Sequence, residues 1–359
     1  MTVSLKGIVP KLIGLSAFLL GFLVLKYADV TAVGVKNGIN LCLETVIPSL
    51  FVFMVIAEFV SRTELLEVLF LPLRFIPSLF RLPGECVSVF ALSLLGGYPM
   101  GAQMISNLVK NKRISPKEGE FLLCSSVNCS PSFMVGAVGI GVFKNPQLGF
   151  VLYLSQVVAA VITGIVAGFF VKKEGSKTRV DFTDTKTDYA QNFVDSVLYS
   201  GKAMLTICSF VILFSVLLAF MQKIKGFEFL AGLTEVSVGC SMLRGKSFKT
   251  ALFLSAFYTS FGGICVFSQI KSFLNKSGVK MRKFFISRIL YVALSIAFSF
   301  YGVRFVDTSE SVFSNVGKVL PSDGGNSALA SVFLILLCFM LLISKKSCGI
   351  INSTKMEKS

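Results

Sequence analysis

The stretch Leu92-Ser93-Leu94-Leu95-Gly96-Gly97-Tyr98-Pro99-Met100-Gly101-Ala102-Gln103 decides how the rest of the chain is interpreted. It lies in an apolar run from about Val87 to Val109, and about 20 helical residues are enough to cross a bilayer. Because proline lacks a backbone donor and clashes with the preceding turn, the predicted span should break at its centre. Broken backbone at membrane depth is tolerated only where protein or a wet cavity covers it, and such breaks form binding sites in secondary transporters.

The composition indicates an all-α polytopic membrane protein. Of the 359 residues, 54% are hydrophobic and 15% are charged, whereas soluble domains are about 45–50% apolar and about 25% charged. The 35 Lys and Arg residues exceed the 19 Asp and Glu residues. They fall mostly between apolar runs, which indicates the positive-inside bias of membrane proteins and argues against nucleic-acid binding.

Residue types that carry most enzyme chemistry are absent or scattered. The chain has no histidine, the commonest general base and metal ligand. Its nine cysteines include no CxxC pair, so they predict neither a disulfide framework nor a zinc site. The sequence therefore predicts no enzyme, no catalytic residues, no metal and no cofactor.

The first part of the chain predicts several membrane segments. Ile8–Tyr27 is interpreted as a retained membrane helix, Ala28–Leu41 as interfacial and Leu43–Val60 as a second span. Leu65–Leu82 holds two prolines and two arginines, which favours a re-entrant or interfacial segment. Ser115-Pro116-Lys117-Glu118 has the N-cap, proline and glutamate of a helix start.

That helix should reach Val127 and stop at the polar break Asn128–Ser132. The apolar run resumes at 133–143, and further spans are predicted at about 146–170, 195–221, 287–300 and 328–343. Between them, 227–243 is a re-entrant candidate, and a span at about 251–270 is broken at Thr259–Gly263. We expect about 8–10 membrane segments, with interrupted helices and re-entrant hairpins in two related halves.

The two halves show a weak internal repeat. Leu92-Ser93, Gly101 and Ser106-Asn107-Leu108 align without gaps on Leu254-Ser255, Gly263 and Ser268-Gln269-Ile270. The domains predicted from this are an N-terminal helix at 1–30, a first repeat at 31–170, a polar cytoplasmic linker at 171–193, a second repeat at 194–302, and an outer loop, last helix and basic tail at 303–359. If 116–143 crosses the membrane the repeats would run parallel, and if it folds back they would be inverted.

These motifs resemble those of a known family. The motif residues are Gly97-Tyr98-Pro99-Met100-Gly101-Ala102, Ile114-Ser115, Asn128-Cys129-Ser130-Pro131, Gly136-Ala137-Val138-Gly139, Ser260-Phe261-Gly262-Gly263 and Gln269. The chain resembles, over about residues 30–300, the sporulation integral membrane proteins of the YlbJ type, in the nucleoside-recognition or Gate superfamily, which is similar to concentrative nucleoside transporters. The resemblance implies two Gate-like repeats and movement of dipicolinate across a forespore membrane.

The breaks supply the candidate substrate site. The free N-terminus of a broken helix carries about half a positive charge and unpaired N–H groups, so two such ends can hold carboxylates. Tyr98 and Phe261 are expected to sandwich an aromatic ring. The candidate binding residues are Gly97, Tyr98, Pro99, Gly101, Asn128, Ser130, Ser260, Phe261, Gly262, Gly263 and Gln269, with Glu235 and Lys202 as candidates for coupling or charge.

Simpler roles compete at each of these positions. Glycine can be a packing notch, serine and glutamine can link helices, and Tyr98 can be an interfacial belt residue. Lys202 and Arg288 can pair with an anion or, more simply, extend to the membrane surface, and Glu235 can merely end a hairpin.

The prediction is a multi-pass transporter of a small, anionic, aromatic metabolite, in a bacterial cell membrane or, by resemblance, a forespore membrane. Its expected partners are the lipid bilayer, the solute and a coupling ion, H⁺ or Na⁺; nucleic acid is not expected and a homo-oligomer is left open. The alternatives are a nucleoside or nucleobase transporter and a non-transporting membrane scaffold in spore maturation.

Overall fold

In a computed structural model, helices joined by turns and short irregular segments make up the described parts of the chain, residues 5–62, 75–171, 188–222 and 226–306. The described residues exclude the predicted last span, residues 307–326 of the predicted outer loop, residues 65–74 of the predicted 65–82 segment and residues 172–187 of the predicted linker. The helices are α1 Leu5–Lys26, α2 Ala28–Leu41, α3 Ile47–Ser61, α4 Phe75–Leu79, α5 Cys86–Gly96, α6 Met100–Lys110, α7 Pro116–Leu123, α8 Phe133–Ile140, α9 Pro146–Gly168, α10 Tyr189–Met221, α11 Phe227–Thr234, α12 Val236–Ser241, α13 Phe248–Phe261, α14 Gly263–Leu274 and α15 Arg282–Gly302.

Several of these helices can cross a membrane. Within the described residues, four helices are long and apolar enough: α9, α10, α15 and the combined helix Phe248–Leu274. A fifth candidate is the pair Gly14–Lys26 and Ala28–Val46, which is bent by 96°, if the pair is counted as one span. The prediction of an all-α polytopic membrane protein is confirmed, and multi-pass integral membrane localisation follows from it.

The segment Ala28–Leu41, which the sequence predicted to be interfacial, packs along α10. A π-helical turn at Cys42–Val46 joins α2 to α3. A Cβ added to Gly34 would lie 2.6 Å from Val216 Cα, and one added to Gly38 would lie 2.7 Å from Ile212 Cα. Small residues four apart therefore let two helices approach closely, and this contact determines where the amphipathic segment lies.

The apolar run Val87–Val109 breaks as predicted, but it turns back instead of crossing. Helices α5 and α6 are separated by three residues and each has 11 residues, or about 16 Å. The Arg113 guanidinium, beyond the end of α6, lies 3.3 Å from the Glu85 carboxylate at the start of α5. The two ends of the run therefore lie at the same end of the molecule, and α5 and α6 form a re-entrant hairpin, the first hairpin.

Helices α7 and α8 form the broken span that follows. The capping box at its start is as predicted, because Ser115 Oγ accepts from the Glu118 N–H and the Glu118 carboxylate accepts from the Ser115 N–H. The helix does not reach Val127: α7 ends at Leu123, followed by a turn and an irregular stretch at 127–130 before the backbone becomes helical again. The polar break thus begins earlier than the sequence indicated.

The later helices repeat this order in the opposite direction. Helices α11 and α12 form a second hairpin, in which a Cβ on Gly239 would lie 2.1 Å from Gly232 Cα. Helices α13 and α14 form a broken span, and α15 then packs antiparallel to α9, with Gly302 against Val151. Each set runs span, hairpin, broken span, span, so the hairpin α5–α6 corresponds to α11–α12 and not to the span α13–α14 with which the gap-free alignment paired it.

The two sets are inverted. Phe143, after α8, contacts Phe248 at the start of α13, with ring centroids 5.8 Å apart, while Pro116 at the start of α7 lies near Gly278 beyond α14. Corresponding helices thus run in opposite directions, and the two hairpins enter from opposite ends. From the sequence, the direction of the repeats was expected to depend on segment 116–143 alone, with parallel repeats if it crosses. Segment 116–143 does cross, but segment 86–110 folds back, and the repeats are therefore inverted.

One end of the molecule, the basic end, holds the segments between α6 and α7 and between α14 and α15. Its basic residues are Lys110, Lys112, Arg113, Lys117, Lys276, Lys280, Arg282 and Lys283. The positive-inside rule predicts that this end faces the cytoplasm.

Candidate functional site

The tips of the two hairpins meet at a small cavity, the central cavity, of about 60 Å³. It is lined by Thr45, Val46, Leu50, Gly97, Tyr98, Cys129, Ser130, Phe133, Ile207, Val211, Glu235, Ser237, Val266 and Gln269. Both inverted sets contribute residues to this lining. Polar groups thus face a space that is otherwise apolar, the usual character of a small-molecule site.

The first hairpin reaches the cavity through Gly97 and Tyr98. Gly97 has φ +75° and ends α5, and the following Tyr98–Pro99 peptide is cis. A Cβ on Gly97 would lie 2.7 Å from the Ser130 nitrogen. Only glycine combines this left-handed conformation with so close an approach, so the hairpin tip and the polar break form one wall.

The hairpin is also locked against this break from the side. A Cβ on Gly101 would lie 1.7 Å from the Ser126 carbonyl oxygen and 3.1 Å from Ser93 Cβ. Gly101 therefore serves close packing between α6 and the segment after α7, and it does not line the cavity.

The second hairpin contributes Glu235, a carboxyl group that is only 5% exposed. Glu235 lies between α11 and α12, and its Oε2 accepts a 2.7 Å hydrogen bond from the Val238 N–H. Gly263, with φ +75°, begins α14 next to the Leu233 and Thr234 carbonyls. The start of α14 thus rests on the hairpin tip, and Gln269, one and a half turns further, faces the cavity.

Arg288 on α15 joins two breaks behind the cavity wall. It is 3% exposed, so the snorkelling role considered for it from the sequence is wrong. Its Nη1 donates to the Val127 carbonyl at 2.7 Å and its Nε to the Phe261 carbonyl at 3.2 Å. Nη2 has no hydrogen-bond partner among the described residues. A buried guanidinium therefore holds the irregular segment after α7 and the last carbonyl of α13 together.

Gln156 in the middle of α9 is a second polar connection that sequence reasoning missed. Its Nε2 donates to Thr259 Oγ1 at 2.7 Å, while its Oε1 accepts from the Cys129 N–H and the Tyr291 hydroxyl, each at 3.4 Å. An amide inside an apolar span is expensive unless it is paired. That cost was the available signal, and the same signal was present for Arg288.

The structure brings some of the predicted residues to the cavity and leaves others away from it. Gly97, Tyr98, Ser130, Glu235 and Gln269 line it. The remaining predicted residues, none of which lines it, are Pro99, Gly101, Asn128, Ser260, Phe261, Gly262, Gly263 and Lys202.

Most of the predicted residues that do not line the cavity make local contacts instead. The Ser260 hydroxyl donates to the Ala256 carbonyl in its own helix, and Lys202 is exposed on α10. Phe261 stacks on Phe257, with centroids 5.8 Å apart, so the expected sandwich with Tyr98 does not form. The Asn128 amide donates to the Ser125 carbonyl at 2.8 Å. Gly262, with φ +93°, forms the break of α13–α14, which is shorter than the predicted Thr259–Gly263.

Among the described residues, no group of three or more His, Cys, Asp or Glu side chains could hold a metal ion. The chemistry available at the cavity is therefore hydrogen bonding, one carboxyl group and the nearby guanidinium.

Inverted helix sets with re-entrant hairpins that meet at an internal cavity define the chain as a polytopic membrane protein with interrupted helices. No family model matches the chain, and no solved structure matches it. A curated relative, the sporulation integral membrane protein YlbJ of Bacillus subtilis, is 25% identical over 298 residues, which is 71% of this chain and 73% of the relative. The chain is therefore similar to this relative over most of the length of both sequences, as its motifs suggested.

Proposed function

We propose that this protein is a secondary transporter that moves a small, anionic, aromatic solute through the central cavity. The observation that carries the proposal is the meeting of two oppositely inserted hairpins, at Gly97–Tyr98 and Glu235, around one polar cavity. Secondary transporters commonly place the binding site between inverted repeats near the bilayer midplane, where broken helices supply free backbone groups.

The size of the cavity supports a closed form of such a site. About 60 Å³ holds a few water molecules and is smaller than the about 150 Å³ of an engineered cavity that binds benzene. Binding of an aromatic solute therefore requires one hairpin to withdraw. Both hairpins are built from short helices, and the helices α11 and α12 of the second hairpin have only eight and six residues.

The charge near the cavity supports an anion. Arg288 contributes a buried positive charge, and its Nη2 has no hydrogen-bond partner among the described residues. It contacts the Val127 carbonyl, two residues before Cys129 in the cavity wall, so a carboxylate in an opened cavity would be near it. The family resemblance suggests dipicolinate, an aromatic dicarboxylate, as the solute.

Glu235 favours a second candidate, a nucleoside or nucleobase. An ionised carboxylate repels a dicarboxylate, whereas together with the Gln269 amide it offers the acceptors and donors that base edges need. For the anion, Glu235 must carry a proton when the solute binds, which would couple uptake to H⁺. A non-transporting scaffold in spore maturation needs no such cavity.

Uptake into proteoliposomes tests the proposal. Labelled dipicolinate and labelled nucleosides are offered with and without H⁺ and Na⁺ gradients. Gly97→Val is expected to abolish uptake, because its side chain would collide with Ser130, whereas a Cβ at Gly136 meets no atom within 4 Å and Gly136→Val is the matched control. Nucleoside uptake alone would favour the second candidate, and no uptake of either solute by the unmodified protein would contradict transport.

A further inference from the structure

We propose that a groove at the basic end binds an anionic phospholipid. The groove, called here the lateral groove, has a volume of about 900 Å³ and lies between α7, α9 and α15, away from the central cavity. Its lining residues divide into a charged and polar rim and an apolar interior.

The rim carries a surplus of positive charge. Arg81, Lys117 and Lys283 line it, with Glu118 as the acidic member. The Glu118 carboxylate accepts from the Ser115 N–H at 2.7 Å in the capping box, and Lys283 lies 2.9 Å from Glu120. Arg81 is exposed, and its guanidinium carbon lies 5.2 Å from the centroid of the Phe169 ring. A phosphate group is the complement of such a rim, because arginine and lysine bind it through charge-assisted hydrogen bonds.

The interior of the groove is apolar and runs into the membrane. Its walls include Val166, Phe170, Ile286 and Leu290. Along α9, Thr163 lies eight residues from Val171 at the rim, or about 12 Å at 1.5 Å per residue. An aqueous anion would gain nothing from walls of this depth, whereas an acyl chain would cover them.

The position of the groove supports a lipid as its occupant. Its walls reach as far as Thr163, a residue that is 1% exposed. Basic pockets on the cytoplasmic side between membrane helices are known lipid headgroup sites, and the positive-inside rule puts the basic end there.

The experiment measures lipid binding to the full-length protein purified in detergent, by native mass spectrometry. Phosphatidylglycerol and phosphatidylcholine with identical acyl chains are the probes, and glycerol 3-phosphate is the competitor. Phosphatidylglycerol is expected to bind about tenfold more tightly, because its headgroup has a net negative charge for the basic rim, whereas the choline cation of phosphatidylcholine offsets the charge of the same phosphate. Free glycerol 3-phosphate should not displace it, because the acyl chain contributes.

Two variants separate the headgroup from the chain. Arg81→Gln should remove most of the preference for phosphatidylglycerol, and Ala167→Phe, on the apolar wall, should weaken binding of both lipids. Lys249→Gln, an exposed lysine at the start of α13 at the opposite end, is the matched control and should change nothing. Equal binding of the two lipids, an equal effect of the control, or no lipid bound by the unmodified protein would overturn the proposal.

Discussion

Replacement of Arg288 by methionine should destabilise the protein severely, because two broken helical segments depend on its guanidinium. The change removes the donors to the Val127 and Phe261 carbonyls, which lie 2.7 and 3.2 Å away. Each buried carbonyl left without a partner costs about 1–3 kcal/mol, so the free energy of unfolding should fall by about 2–6 kcal/mol. Arg288→Lys keeps the charge and one set of donors and should restore about half of the loss.

The assay is reversible unfolding in mixed micelles of mild detergent and dodecyl sulfate, followed by circular dichroism. Arg304→Met is the matched control, because Arg304 follows the same helix and is exposed. It should change the free energy of unfolding by less than about 0.5 kcal/mol. If Arg288→Met unfolds like the control, the inference that Arg288 joins the two breaks is wrong.

Three further predictions concern single sites. Gly101→Ala should lower the melting temperature, because the new Cβ would collide with the Ser126 carbonyl oxygen. The control Gly136→Ala, with open space around its Cβ, should leave the melting temperature unchanged. Equal melting temperatures of the two variants would contradict the packing described. Glu235→Gln should abolish the dependence of solute uptake on the H⁺ or Na⁺ gradient. The control Glu44→Gln, which replaces an exposed carboxylate, should not. Retained gradient dependence in Glu235→Gln would exclude Glu235 as the coupling group. Ser115→Ala should cost about 1 kcal/mol through loss of the N-cap, measured as faster amide hydrogen exchange at the start of α7, and unchanged exchange there would refute this.

The sequence predicted the local features of the fold well. The break at Gly97-Tyr98-Pro99, the capping box at Ser115 and the hairpin around Glu235 follow from short-range chemistry: a proline, a helix start signal, a polar residue in an apolar run. Such signals act over a few residues, so they can be read without knowledge of the fold.

The direction of the chain after a break could not be predicted. A run of about 20 apolar residues with a central break is long enough to cross a membrane and also to enter and return. The direction depends on tertiary packing, and the ion pair between Glu85 and Arg113 shows that the two ends of the run lie together. The gap-free alignment of the halves failed for the same reason, since it paired a hairpin with a span.

The candidate site was predicted in part. Residues at the hairpin tips, such as Tyr98 and Glu235, reached the cavity because a break exposes its own residues. Gln156 and the linking role of Arg288 were missed. Their partners are carbonyls, N–H groups and hydroxyls on other segments, which become available only once those segments are broken and folded together.

The most direct test of the central claim is the sidedness of the two hairpins. In a chain whose nine cysteines are replaced, single cysteines are introduced at exposed positions flanking each hairpin, and a membrane-impermeant maleimide is applied from either side. Gly84→Cys and Asn111→Cys should both be labelled from one side, and Gln222→Cys and Arg244→Cys both from the other. Labelling of positions 84 and 111 from opposite sides would contradict the account, since the first hairpin would then be a span and the inverted arrangement around the cavity could not exist.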